Sequence, residues 1–385
     1  MSNLQHSRMR EGMARLAAKL RDEAERELVV AFLGGSITEG FGASDPDETS
    51  WRALTEKYFT ERYPSLRWRF INAGVGGTDS SLGAHRIGRH VFEDGGIDLL
   101  FVEFAVNDGQ KRAPTPEGWA ETIRGMEGIV RRCRKVAPDA DIVFLYSADE
   151  QSLAAAEPEP FFIAVHEKVA EHYGLPSISF LAGVRERIRG GDSWRAFAPD
   201  GVHPNDEGHV IYAGMLREFL ELALSSSEGS INEPTRDETS TLPEPLRSDN
   251  YERAGLIGAF GVRRASGMSW LSRPNNTVNW RYPAGHLYGE GDTVSFTFDV
   301  YGRSAGLLLL CGPDTGAFAY SINGGEFLQY DPYDEWCPLF YRPVKVPLVS
   351  LPAAGQIEIS VHGVSSSNGS DRGAALRVLG LLYST

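Results

Sequence analysis

Residues 29–42 read VVAFLGGSITEGFG. An apolar run, residues 29–33, has the character of a buried strand. Two glycines break it, Ser36 follows, and then comes a segment able to start a helix. Glycines at that break let the backbone take angles that a side chain would forbid. The Ser36 hydroxyl then stands clear of the sheet at the carboxyl end of the strand, where open α/β sheets keep their ligand sites. The arrangement is analogous to a nucleophile elbow, although the Gly-x-Ser-x-Gly spelling is absent. By itself the pattern also fits an ordinary turn or a phosphate cradle.

Outward from this stretch the first half of the chain alternates. Helix is expected over residues 49–63, strand over 68–72, helix over 82–91 and strand over the apolar run 97–105. Helix over 119–136, strand over 141–146, helix over 161–173 and strand over 176–179 follow. A last helix spans 205–222, with Asn205 as its N-cap. Strand and helix in strict turn imply a parallel sheet covered on both faces. At the N-terminus, Met9, Met13, Leu16 and Leu20 fall at helical spacing among charges. That is an amphipathic helix rather than a signal peptide with an apolar middle.

Residues 225–250 are polar, proline-bearing and nearly free of large apolar side chains, which predicts a linker or a strap along the surface. From residue 251 the pattern turns to short strands, at 256–262, 277–281, 293–300, 306–311, 318–322, 344–349, 356–361 and 376–382. Asn323-Gly324 between two alternating runs is a strong hairpin signal. The organisation expected is an α/β domain (1–224), a linker (225–250) and an all-β domain (251–385) of sandwich or jelly-roll type.

Composition sets bounds. The 385 residues are 23% charged and 42% apolar. Those are the fractions of a globular chain able to build a sizeable core. The formal charge of −14 argues against nucleic acid or an anionic membrane as partner and suits a small neutral substrate. No apolar run approaches the ~20 residues needed to span a bilayer. Cys133, Cys311 and Cys337 show no metal-ligand spacing. Cys311 and Cys337 could pair in an oxidising compartment, but a reduced cytoplasmic protein is the simpler expectation.

The chemistry gathers after the strands. A serine hydroxyl needs a base, and the base needs an orienting group. APDGVHPNDEGHVIYAG supplies both: Asp200 and His203 lie three apart on a loop before the last helix. Acyl transfer also needs donors aimed at the oxyanion. Gly76-Gly77 follows the second strand and offers bare amides, and Asn107, in FVEFAVND, offers a side-chain amide. Taken singly, each of these is an ordinary turn or cap. Together they follow strands that face one edge of the sheet. Glu103, in an apolar strand, needs a partner if buried, for which Arg86 or Arg89 is available. His209 reads as packing or capping, and Asp108 as a loop residue or one that supports the site from behind. His85, His90, His166 and His172 form no metal pattern.

In this order Gly-Gly-Ser36-Ile, Asn72-Ala-Gly-Val-Gly-Gly77-Thr, Ala-Val-Asn107-Asp and Asp200-Gly-Val-His203-Pro resemble the four sequence blocks of the SGNH (GDSL-like) hydrolases. The resemblance covers residues 28–222. It implies a flavodoxin-like three-layer α/β/α fold, with Ser36 as nucleophile, His203 as base and Asp200 as its orienting partner. The oxyanion hole it implies is the Ser36 N–H, the Gly77 N–H and the Asn107 side chain. No metal or cofactor is implied. Two positions depart from the family pattern: Gly35 replaces the usual aspartate before the serine, and Ala105 the usual glycine two before the asparagine. The segment GPDTGAFAYSINGGEF is similar to the β-sandwich attached to some carbohydrate-active SGNH esterases. This tilts the expected substrate toward an O-acetylated sugar, with Trp270, Trp280, Tyr320, Tyr330, Tyr333 and Trp336 as candidate stacking residues beside their ordinary packing use. The expected activity is hydrolysis of a short-chain ester. The rival readings are an acyltransferase or lipid esterase with the same triad, and a non-catalytic carbohydrate-binding protein. The sequence leaves open whether the chain forms a homo-oligomer.

Overall fold

The fold is that of a computed structural model, which describes residues 6–22, 27–155, 159–226, 242–271, 285–364 and 373–385. The chain divides into two compact units, Met1–Glu252 and Arg253–Thr385.

In the first unit the strands are β1 (Ser7–Arg8), β2 (Glu27–Gly34), β3 (Arg67–Gly74), β4 (Leu99–Glu103), β5 (Asp141–Tyr146) and β6 (Ser177–Ser179). The helices are α1 (Ala14–Arg21), α2 (Ser36–Glu39), α3 (Trp51–Arg62), α4 (Ser80–His90), α5 (Ala105–Lys111), α6 (Pro116–Val136), α7 (Glu150–Ala154), α8 (Phe161–His172), α9 (Phe180–Arg189), α10 (Trp194–Phe197) and α11 (Asp206–Ser226). Local chemistry fixes many of the helix starts. Ser50, Asp79 and Thr115 each accept a hydrogen bond from the third residue of the helix they precede, and Asn205 accepts one from Gly208 at 3.0 Å.

The sheet order is β1-β6-β5-β4-β2-β3, parallel except for the short edge pair of β1 with β6. Numbered along the chain, the parallel strands run 2-1-3-4-5, the flavodoxin-like order. Its direction reverses between β2 and β4, where such sheets open a crevice at their carboxyl ends. Helices α1, α3, α9 and α10 pack with α11, and α4, α5, α6 and α8 pack with one another. These two groups cover the two faces, so β2, β4 and β5 are buried almost throughout. Phe32, Trp51, Phe101, Phe180 and Tyr212 form one connected aromatic cluster in this core.

Residues 243–252 run against α6. Glu127, buried on that helix, accepts from the backbone amides of Leu246 (2.6 Å) and Arg247 (2.9 Å) and from the Tyr173 hydroxyl (2.8 Å). Arg124 pairs with Asp249, and Arg131 with Glu252. The end of the polar stretch is therefore strapped to the first unit. Residues 227–241 lie outside the described residues.

The second unit holds β7 (Ala254–Gly258), β8 (Arg264–Ser266), β9 (Met268–Leu271), β10 (His286–Glu290), β11 (Ser295–Cys311), β12 (Phe318–Ile322), β13 (Leu328–Tyr330), β14 (Arg342–Gly363) and β15 (Ala375–Ser384), with every pairing between them antiparallel. The runs expected at 293–300 and 306–311 are one strand, β11, and those at 344–349 and 356–361 are one strand, β14. Irregular register near Gly302 and Ala305 bends the β11–β14 pair instead of ending it. On its other edge β11 pairs first with β8 and then with β15. A long bulged strand that changes neighbours carries a sheet from one layer of a sandwich into the other. Phe296, Phe298, Leu307, Ile357, Ile359 and Val378 lie in the core so enclosed. Asn323 and Gly324, at φ of 52° and 71°, make the tight turn between β12 and β13. Both angles are left-handed, as the Asn-Gly hairpin signal requires. The strand expected at 277–281, with Trp280, lies outside the described residues. Cys133, Cys311 and Cys337 are free and buried. No described helix is long and apolar enough to cross a membrane.

Candidate active site

β2 ends at Gly34, Gly35 turns the chain, and Ser36 opens the four-residue α2. The turn is tight: a Cβ on Gly34 would fall 2.1 Å from Thr38 Oγ1 and 2.6 Å from the Glu103 carbonyl oxygen. Ser36 Oγ lies 2.8 Å from His203 Nε2. Ser36 is 6% exposed, so its hydroxyl is largely shielded from water.

His203 comes from the loop between α10 and α11, and the same loop holds its ring in place. Asp200 Oδ1 accepts from the amides of Val202 (2.8 Å) and His203 (2.7 Å), and Oδ2 lies 2.6 Å from His203 Nδ1. Phe41 packs edge-on against the imidazole at 4.4 Å between centroids. Partial burial pushes the Asp200 pKa up. The His203 amide and ring and the Val202 amide outweigh it and hold the carboxyl below its ordinary range. An ionised Asp200 accepts a hydrogen bond from Nδ1–H, which keeps that proton on Nδ1 and leaves the Nε2 lone pair for the Ser36 hydroxyl.

Asn107 sits in the first turn of α5, 8% exposed, with its amide packed on Gly35: a Cβ there would fall 2.0 Å from Asn107 Oδ1. A side chain at 35 would push that amide aside, which gives Gly35 a reason in this chain. Gly77 takes a left-handed φ of 72°, and its carbonyl accepts from Lys111 Nζ, one turn along α5 from Asn107, at 2.6 Å. The Gly76 N–H donates to Glu39 Oε2 at 2.8 Å. Gly77 N–H has no acceptor among the described residues, and Ser36 N–H lies in the first turn of α2, where helical amides lack partners.

The supporting residues fall into place differently than their types suggest. Arg86 does not pair with Glu103. Its buried guanidinium donates to the carbonyls of Ala73 and Gly34 and to Thr78 Oγ1, tying together the ends of β2 and β3. Glu103 accepts instead from Thr38 Oγ1 at 3.0 Å, and complete burial pushes its pKa up to about 7. Asp108, fully buried on α5, binds the Ser80 amide, Arg112 and His166 Nε2, and so anchors the helix that carries Asn107. His209 accepts from the Trp51 amide, a packing role. Among the described residues no group of histidine, cysteine and carboxylate side chains could hold a metal ion.

Glu39 and Lys111 carry no motif of their own. The signal for Glu39 was its place three residues after Ser36. Lys111 lies four after Asn107, a spacing that becomes informative only once α5 is known to be a helix.

A parallel sheet with a serine, a histidine and an aspartate converging at its switch point is an architecture on which serine hydrolases are built. Residues 32–211 match the GDSL-like Lipase/Acylhydrolase family and form a domain of that family, and the chain is a carboxylic ester hydrolase. Over both units the fold is similar to that of a two-domain esterase active on acetylated mannans, at 21% identity. One structure of that protein has a TM-score of 0.80 over 98% of this chain and 99% of the other. A second, co-crystallised with mannopentaose, has a TM-score of 0.78 over 98% of each chain. No curated protein matches the sequence at a significant level.

Proposed function

We propose that this chain is a serine esterase that removes acetyl groups from an O-acetylated carbohydrate. The observation that carries the reading is the hydrogen-bonded line Ser36 Oγ–His203 Nε2 and His203 Nδ1–Asp200 Oδ2, at 2.8 and 2.6 Å, at the crevice of the sheet. A base already within reach of its nucleophile is poised for proton transfer.

His203 Nε2 takes the Ser36 proton as Oγ attacks the acetyl carbonyl. The resulting oxyanion accepts from the amides of Ser36 and Gly77 and from Asn107 Nδ2. The imidazolium, steadied by Asp200, gives its proton to the departing sugar oxygen and leaves an acetyl ester on Ser36. Water then enters, His203 takes its proton, and collapse of the second tetrahedral adduct returns the proton to Ser36 Oγ and releases acetate. Each oxyanion donor in such a hole is worth roughly 3 to 4 kcal/mol when removed.

The acetyl and sugar parts of the reading draw support from the likeness in fold, over both units, to an esterase active on acetylated mannans. Chain-length series of p-nitrophenyl esters and acetate release from acetylated mannan test them. The expected outcome is fastest turnover of the acetate ester, with acetate released from the polysaccharide. Rates that rise with acyl length would point to a lipid esterase, and product on an added sugar acceptor to a transferase.

A further inference from the structure

We infer that Glu39 is a positioning residue for the oxyanion hole: its carboxylate holds the loop after β3 so that the Gly77 N–H, rather than the Gly76 N–H, is free to donate to the oxyanion. The inference rests on the esterase reading and deepens it.

Glu39 is the last residue of α2, the short helix that Ser36 opens. Its Oε2 accepts from the Gly76 N–H at 2.8 Å, so that amide is engaged. The next amide, Gly77 N–H, has no acceptor among the described residues. The carboxylate thus settles which of two adjacent glycine amides remains available. It also joins nucleophile and oxyanion loop through one element, because Ser36 and Glu39 share α2. The contact is close: a Cβ on Gly74 would fall 2.2 Å from the Glu39 amide nitrogen, and Asn72 Nδ2 donates to the Glu39 carbonyl at 3.4 Å. On the far side of the loop Lys111 Nζ donates to the Gly77 carbonyl at 2.6 Å. The base of the loop is fixed by Arg86 on the Ala73 carbonyl and on Thr78 Oγ1. Without Glu39, two consecutive glycines are held at their flanks but not at their first amide, and glycine has the widest backbone freedom to lose. Misplacing a donor by about 1 Å can cost on the order of a hundredfold in rate.

The test compares Glu39→Ala, Glu39→Gln and Lys111→Met with the wild type on p-nitrophenyl acetate, together with thermal melting and the pH profile of kcat/KM. Glutamine keeps an oxygen able to accept from Gly76; alanine does not. The expected result is a fall in kcat of about tenfold or more for Glu39→Ala. Its KM stays within about twofold and its pH profile keeps its shape, and Glu39→Gln restores most of the rate. A displaced His203 would instead shift the profile. Lys111→Met removes an exposed side chain, leaves the fold intact and is expected to lower kcat with KM unchanged; it carries the test if Glu39→Ala does not fold. Wild-type rates in Glu39→Ala, or equal losses in the alanine and glutamine variants, would overturn the inference. If Glu39→Ala fails to fold, an unaltered kcat in Lys111→Met would overturn it. Turnover by the wild type that Ser36→Ala abolishes shows that the esterase reading stands while this one falls. A wild type with no Ser36-dependent turnover would overturn both.

Discussion

Glu103 shows what a single buried carboxyl costs. It lies under the turn that presents Ser36, fully buried, and its pKa is raised from an ordinary 4.5 to about 7. Between those two values the folded protein keeps a proton that the unfolded chain has already released. Unfolding therefore releases a proton in this window, and the contribution of Glu103 to stability falls as pH rises through it. The full loss is on the order of 3 kcal/mol. Glu103→Gln stays neutral and can still accept from Thr38. The variant is expected to match the wild type in denaturant melts near pH 4.5 and to exceed it by on the order of 3 kcal/mol at pH 8. An equal difference at both pH values would show that Glu103 is not the titrating group. At this scale the candidates Ser36, Asp200, His203, Gly77 and Asn107 were legible, because ester chemistry confines such groups to a few residue types at fixed places after strands. The partner of Glu103 was not, since Arg86 and Thr38 are both sequence-distant and only the packing decides between a carboxylate and a row of carbonyls.

Among the elements, β2, β4 and β5 were plain from their apolar runs, which a parallel sheet buried on both faces requires, whereas the two-residue β1 was not expected. Helix α5 was hidden. Its seven residues directly follow β4, too few for a helical period to show, and FVEFAVND reads as strand into loop. Helix α9 escaped notice in the same way behind the three-residue β6. In the second unit, strands of ordinary length were expected where bulged strands run on, because a bulge leaves the alternation broken but the pairing intact. The strap is the element whose role was least visible. Its polar composition reads as a linker or a surface strap, and nothing in it signals that its amides satisfy the buried Glu127 carboxylate. A chain ending at residue 252 is therefore expected to be more stable than one ending at residue 226. Losing those two donors costs about 2 kcal/mol, which for a domain of this size lowers Tm by roughly 4–8 °C. Thermal melts of the two truncated proteins check this, and equal Tm values would show that the strap is energetically idle.

At the scale of the molecule, the change of pattern near residue 250 marked a real change of architecture. Two units with separate cores lie on either side of Glu252. The expected sandwich was legible from the density of short β runs. Of the aromatics considered for stacking on a sugar, Tyr320 and Tyr333 pack against the second core, while Trp336 is 49% exposed beside Phe340. The candidate catalytic set lies wholly in the first unit, spread along most of its length from Ser36 to His203 and brought together by the order of the sheet. The full-length protein should therefore carry one reactive serine. The measurement is reaction with a fluorophosphonate probe followed by peptide mapping. The account predicts a single adduct on the peptide containing Ser36, formed in step with loss of esterase activity. Labelling at another serine, or esterase activity that persists with Ser36 fully modified, would contradict it.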